Sequence, residues 1–590
     1  MIRFASLCVA AVLAIAFVAG ASAQAQSRGD ARLSALIAEY ERYDRDADPI
    51  TAGAEGDREA LRHLPNASLS TQQAQRRTLA DLRSRIERID PRQLSADAAI
   101  NRAFLLRIIG EGIESIDFDE ARTIFTNDNG FYSLGDYLAL TTPIRTREDA
   151  EAWLSRLSEM PSYYQQNLEN GRRAIATHLT KPRVVFDRAL AAAQAQAGGP
   201  VEQSTLLAPF AEMPAAIPAA AQADYRTRAL ALVRDQIRPQ QQAFARFLQD
   251  DYQPALRSEL GIRSTPNGEA YYRYLVRHHT TTNLSPEEIH ALGLAEVARI
   301  RAEMETTIRE TGFQGSFAEF LHFLRSDPQF YATTAENLLE KASEIAKRSD
   351  DQLPGLFGTL PRLTYGVRPV PADMAEGYTT GRYWNGSPAL GQAGGYMVNT
   401  THLDQRALYE LPALTLHEAV PGHHLQIALA QEIEGLPSFR RNASITAYVE
   451  GWGLYSEYLG EEMGIYRTPY EQFGRYSYEM WRACRLVADT GIHWLGWSLA
   501  EARRCFDENS ALSPHNITTE LERYVSWPGQ ALGYKIGELT LLRLRHEAEA
   551  ALGESFDVRA FHDVVLGAGP LPLDVLETRV RAWTAAQRAG

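Results

Sequence analysis

The 590-residue chain is 45% hydrophobic and 23% charged, a globular balance with enough apolar material for a large core. A net charge of -14 argues against a nucleic-acid-binding surface, and three cysteines are too few for a cysteine zinc site. Residues 1–23 read as a secretory signal peptide: Arg3, an apolar run from Leu7 to Ala19, and Ala21-Ser22-Ala23 before Gln24, with cleavage expected after Ala23. That run is shorter than the roughly 20 residues a bilayer requires. The mature chain is therefore expected in the periplasm or medium, without stable membrane insertion. Cys8 leaves with the signal, and Cys484 and Cys505 are either a disulfide or two buried thiols.

From Arg28 to about Asp350 apolar residues recur at threes and fours, which predicts helices over Ala31–Asp48, Ser70–Ile89, Asp97–Ile116, Thr146–His178, Leu207–Gln249 and Ser285–Thr311. Ser285-Pro286-Glu287-Glu288 is a strong helix start, with a capping serine, a proline in the first turn and glutamates at the positive end of the dipole. Ala192–Gln222, rich in Ala, Gln, Gly and Pro, reads as a loop between helices. Helical texture on both sides argues for one two-lobed domain over 24–590, with lobes 24–260 and 261–590. Leu360–Pro371 and Ala393–Leu403 are the best strand candidates; Tyr396 and Asn399 on the second are candidate substrate contacts, because an edge strand can hold an extended peptide.

The next stretch is Leu416-His417-Glu418-Ala419-Val420-Pro421-Gly422-His423-His424. Helical zinc sites are written H-E-x-x-H, because residues four apart share a face where two imidazoles hold one metal and the glutamate reaches its water. Here two extra residues intervene, and Pro421, which has no N–H for the His417 carbonyl, must bulge or kink the helix. Dropping Val420 and Pro421 leaves H-E-A-G-H, which favours His417 and His423 as ligands with His424 as the alternative. Downstream, Ala447–Glu457 is apolar on nearly every face, so its carboxylates must be paired or bound to metal. Glu450 is the candidate third ligand and Glu457, seven residues on, a partner that orients a histidine. Pairing of either glutamate with Arg440 or Arg441 is the alternative.

Tyr478–Trp497 places Arg482, Arg485, Asp489 and His493 at helical spacing, either as a substrate-facing strip in which an arginine clamps a carboxylate or as an internal salt-bridge network. Tyr524–Lys535 is turn-rich and leads into a helix, with Tyr524, Gln530, Tyr534 and Lys535 as candidate site residues.

The three stretches LHEAVPGHHLQ, AYVEGWGLYSE and YVSWPGQALGYKIG together resemble the family catalogued as domain of unknown function 885. Its members are distantly similar to helical gluzincin peptidases such as thimet oligopeptidase, neurolysin, angiotensin-converting enzyme and the thermostable carboxypeptidase Taq. The resemblance implies a mainly α, two-lobed zincin-like fold with a deep channel and a small β-sheet beside the metal helix. It further implies Zn2+ held by His417, His423 and Glu450, Glu418 as the base that activates water, and Tyr534 as the donor to the developing oxyanion. The expected activity is hydrolysis of short peptides, as carboxypeptidase, dipeptidase or oligopeptidase. A zinc amidohydrolase acting on another amide and a disabled peptide-binding protein are the rival readings, and the oligomeric state stays open.

Overall fold

The computed structural model describes residues 28–589 apart from 128, 377, 389 and 390; the expected signal peptide, 1–23, lies outside the described residues. Among the described residues the chain is mainly helical with one small sheet, and it divides into two compact units at Ser258/Glu259. Among the described residues no helix is long and apolar enough to cross a membrane.

In the first unit helices cover residues 28–47, Leu69–Glu87, Ala96–Asp117 and Arg147–Ala176, close to the apolar periodicity. The last starts where Thr146 and Asp149 cap one another reciprocally, and it buries Trp153 and Leu157 against Phe210, Val233 and Ile237. The expected loop at Ala192–Gln222 is shorter than the composition suggests. The Arg183–Gly198 helix runs through its alanine-rich start, alanine being the strongest helix former, and helix resumes at Ala219 after Pro218.

The second unit carries every candidate site residue. The Pro286–Thr311 helix begins as the sequence predicts, with the Ser285 hydroxyl accepting from the Glu288 amide (3.2 Å) and Glu288 accepting from the Ser285 amide (2.8 Å). Its sheet has the order β1-β3-β2: β1 (Tyr365–Pro369) runs parallel to the central β3 (Gly394–Val398), and β2 (Gly381–Trp384) antiparallel to it. The predicted strands contain β1 and β3. Neither covers β2, whose four residues GRYW show little polarity alternation.

Two placements differ from the expected substrate contacts on β3 and just after it. The strand is central and wholly buried rather than an exposed edge, Tyr396 reaching Thr415 Oγ1 on the helix beneath (3.2 Å). Asn399 is fully buried and donates its amide to the carbonyls of Ala375, Tyr378 and Thr379.

The Thr446–Glu462 helix crosses the Gly533–Leu552 helix at two glycines. A Cβ on Gly451 would lie 2.5 Å from Gly537 Cα, and one on Gly537 would lie 1.9 Å from the Ala447 carbonyl oxygen. Only hydrogen side chains allow this approach. Cys484 and Cys505 form a disulfide joining the Pro469–Thr490 and Leu499–Asn509 helices.

Candidate metal centre

The motif helix does more than bulge at Pro421. The Leu411–Glu418 helix ends, residues 419–422 form a turn containing a cis Val420–Pro421 peptide, and a second helix starts at His423. The turn folds back on the helix it leaves, with the Gly422 amide donating to the Leu416 carbonyl (3.0 Å). A Cβ at Gly422 would fall 2.0 Å from the His417 carbonyl oxygen, so glycine is required there. From the neighbouring helix Trp452 Nε1 donates to the Pro421 carbonyl (2.8 Å), fixing the turn against the segment that carries Glu450.

This break brings His423 to His417. Their rings lie 4.7 Å apart and nearly perpendicular, and both Nε2 atoms approach the same carboxylate oxygen, Glu450 Oε2, at 3.4 Å and 3.6 Å. One ligand atom from each of His417, His423 and Glu450 lies within 4.8 Å of the others. Around a tetrahedral zinc with bonds of about 2.0–2.2 Å, ligand atoms stand about 3.3–3.6 Å apart, so the donor set fits that ion in type and both histidine–Glu450 separations match its spacing. His424 lies elsewhere: its Nδ1 meets the Tyr383 hydroxyl (3.0 Å) and its Nε2 the Leu363 carbonyl (3.1 Å), and burial pushes its pKa down to about 4.

Glu450 and Glu457, two turns apart on one helix, address the two nitrogens of one ring. Glu457 Oε1 lies 2.8 Å from His417 Nδ1, the arrangement by which a carboxylate fixes a metal-ligating histidine's tautomer. Glu457 is held in turn by Arg482 Nη2 at 3.3 Å, rather than by Arg440 or Arg441. Between the two glutamates Gly453 lets the ring lie against the backbone: a Cβ there would come 2.5 Å from His417 Cε1. Burial lowers the basicity of His417, but Glu450 and Glu457 outweigh it and raise its pKa to about 9. Burial likewise opposes ionisation of Glu450, yet its bonds to His417 and His423 hold it well below the usual carboxylate range.

Glu418 is buried and accepts the Tyr383 amide of β2 at Oε2 (2.7 Å). Tyr383 was not singled out in the sequence; nothing in GRYW marks a residue that grips both Glu418, by its amide, and His424, by its hydroxyl.

The remaining candidates fall into two groups. Tyr534, on the first turn of the Gly533–Leu552 helix, packs its ring 4.1 Å from the Arg485 guanidinium. Arg485 donates to the Tyr524 hydroxyl (3.0 Å) and to Glu520 (3.0 Å), and Gln530 accepts from Arg523. The second group is tied into packing. Lys535 is fully buried among Glu479 (2.7 Å), Glu538 (2.6 Å) and Glu296 (3.2 Å), a closed ion cluster. His493 is fully buried between the Ile262 amide (3.1 Å) and the Tyr524 carbonyl (2.8 Å). Arg482 is taken up by Glu457 at 3.3 Å. For Arg482 and His493 the internal-network reading of the sequence describes what surrounds them, whereas Lys535, expected as a site residue, is instead enclosed by three carboxylates.

A mainly helical protein with two buried histidines meeting a half-buried glutamate, a carboxylate adjoining them and a small sheet laid over the motif is the class that fold and site define. The chain belongs to the family described as bacterial protein of unknown function (DUF885), whose model matches residues 49–580. It is similar to a crystal structure from Colwellia psychrerythraea described as a putative lipoprotein, at 27% identity and a TM-score of 0.86, covering 95% of this chain and 99% of that one. A second similar structure, described as a putative lipoprotein of unknown function from Shewanella oneidensis, shares 16% identity at a TM-score of 0.71 over 92% of this chain and 99% of that one, and bears on the fold alone. No curated protein matches the chain.

Proposed function

We propose that the chain is an exported zinc-dependent peptidase with a zincin-like site, hydrolysing short peptides. The observation that carries this reading is the convergence of His417 Nε2 and His423 Nε2 on Glu450 Oε2 at tetrahedral spacing, with Glu418 following a ligand in sequence. Export is supported by the signal-like start of the sequence and by the Colwellia protein's description as a putative lipoprotein.

His417, His423 and Glu450 would hold the ion. Zinc bound there supplies a Lewis acid that acidifies water and polarises a carbonyl. Glu418, oriented by the Tyr383 amide, accepts the proton of the attacking water and returns it to the leaving amine. Tyr534 donates a hydrogen bond from its phenol to the carbonyl oxygen as negative charge develops there. Glu457 keeps the Nδ1 proton of His417, leaving Nε2 to the metal.

Zinc content of the purified protein and of His417→Ala, His423→Ala, His424→Ala and Glu450→Ala tests the site. One zinc per chain is expected in the wild type and in His424→Ala if that variant folds, and loss in the other three. Substoichiometric zinc insensitive to those three changes would sink the proposal. A peptide-library digest read by mass spectrometry tests the activity, and turnover of simple amides without peptide cleavage would move the reading to an amidohydrolase.

A further inference from the structure

Beside Tyr534 lies a group of cations that the metal set does not use and the protein only partly neutralises. Arg485 lies 4.1 Å from the Tyr534 ring centre and Arg523 6.0 Å from it. Both guanidiniums share one carboxylate, Glu520, at 3.0 Å and 3.3 Å, and that carboxylate also accepts the Tyr524 hydroxyl (2.8 Å). The other arm of Arg523 goes to the neutral amide oxygen of Gln530. Arg485 is 3% exposed, and its Nη1 has no hydrogen-bond partner among the described residues. A second acid, Asp489, is near enough to feel Arg523, but it is taken up by the Tyr272 hydroxyl (2.6 Å) and the Gly529 amide (3.1 Å), and burial pushes its carboxyl up to about 7. Among the described residues the two guanidiniums thus share one hydrogen-bonded carboxylate, Glu520.

Buried guanidiniums are stable only when paired, and an arginine's planar fork is matched by a carboxylate's two oxygens. The surroundings suit such a ligand. Trp527, 49% exposed, stands edge-on to His279 at 6.2 Å, and burial with the nearby Arg523 and His278 keeps His279 neutral rather than adding a third charge. The position suits it too. At Gly533, just before Tyr534, a Cβ would lie 3.1 Å from the His279 carbonyl oxygen and 3.2 Å from the Ala447 amide nitrogen. Ala447 precedes the metal-ligating Glu450 by three residues, about 4.5 Å along the helix axis.

Resting on the peptidase reading above, we propose that Arg523, backed by Arg485, receives a substrate carboxylate, so that the enzyme selects peptides carrying a free carboxylate within a residue or two of the cleaved bond. That carboxylate is either the peptide's C-terminus or an aspartate or glutamate side chain.

Four peptides of one sequence test this: a free C-terminal acid, its C-terminal amide, and amides ending in Asp or in Asn. With zinc-loaded wild type the free acid is expected to be cleaved with a kcat/KM roughly 100-fold above its amide, chiefly through KM, the scale of losing one buried charged hydrogen-bond pair. If the Asp amide recovers that rate and the Asn amide does not, the side-chain carboxylate is accepted; if neither does, the C-terminus is the ligand. Arg523→Gln is expected to collapse the acid-to-amide ratio toward one, and Arg523→Lys to restore part of it. Equal cleavage of the free acid and all three amides by wild type overturns the proposal and leaves the peptidase reading intact; this comparison needs no variant to fold. An undiminished ratio in folded Arg523→Gln overturns the assignment to Arg523. Absence of cleavage of all four by zinc-loaded wild type overturns both readings.

Discussion

The sharpest perturbation of the candidate metal centre is a single methyl group. A Cβ at Gly453 would stand 2.5 Å from His417 Cε1, 2.7 Å from Nε2 and 2.9 Å from Nδ1. Carbon contacts settle near 3.5–4.0 Å, so in Gly453→Ala the ring must retreat by about 1 Å. Zinc ligation tolerates about 0.2 Å, and the ring cannot retreat without loosening its 2.8 Å bond to Glu457. The zinc dissociation constant should therefore rise at least ~100-fold, about 2.7 kcal/mol. The fold should lose much less: overpacking costs about 1–3 kcal/mol, while alanine exceeds glycine in a helix by about 1 kcal/mol. The assay is a zinc titration against a chromophoric chelator, with a thermal melt of the metal-free protein to show that the variant is folded. Gly355→Ala is the control, since a Cβ there meets nothing within 4 Å. Folded Gly453→Ala that binds stoichiometric zinc with wild-type affinity would refute the placement of His417 as a ligand.

Glu418→Gln should keep its zinc, because no ligand changes, and lose roughly 100- to 10,000-fold in kcat against any peptide the wild type cleaves; activity within tenfold of wild type would remove Glu418 as the base. Glu457→Gln should weaken zinc by about 10- to 100-fold, measured by the same titration, and unchanged affinity would show that His417 needs no orienting carboxylate. His562, between the Leu356 carbonyl and the Tyr455 hydroxyl (2.8 Å each), has its pKa pushed down to about 3 by burial. Its folded pKa lies below the unfolded value of about 6.5, so its neutral form stabilises the fold above pH 6.5 and that contribution is lost as pH falls toward 3. The stability gap between wild type and His562→Gln, from urea midpoints of metal-free protein, should narrow by about 2 kcal/mol between pH 7 and pH 5; a constant gap would show that His562 is not held neutral.

Helices were legible wherever a capping residue met a clean apolar period, as at Thr146 and Ser285, because both signals are local. The grouping of His417, His423 and Glu450 was legible for a related reason: few helices bring two histidines and a glutamate into an apolar run, and burial leaves such groups few partners. What local reading misses is anything settled by a distant partner. Lys535 looks like a site residue beside Tyr534, yet one of the acids that closes around it, Glu296, comes from a helix more than two hundred residues away. Arg523 was passed over in favour of Arg482 and Arg485, since periodicity gives a face but not which neighbours on it are already neutralised. Strand β2 escaped because its hydrogen bonding to β3, and not its composition, makes it a strand.

The adjacent histidines show how far spacing alone can go. Neighbours on a helix point about 100° apart, so His423 and His424 could not both face one ion, and the sequence left the choice between them open. The structure gives the second histidine separate work. His424 links the Leu363 carbonyl, just before β1, to the Tyr383 hydroxyl on β2, and the amide of that same Tyr383 holds Glu418. A Cβ at Gly394 of β3 would press within 2.4 Å of the Tyr383 hydroxyl and 3.0 Å of His424 Nδ1, so the strand leaves room for this strut. One histidine thus faces Glu450 and its neighbour fixes the strand that orients the candidate base. Breaking the helix at Pro421 rather than bulging it starts a new helix at His423, and so lets two consecutive residues serve opposite sides of the motif.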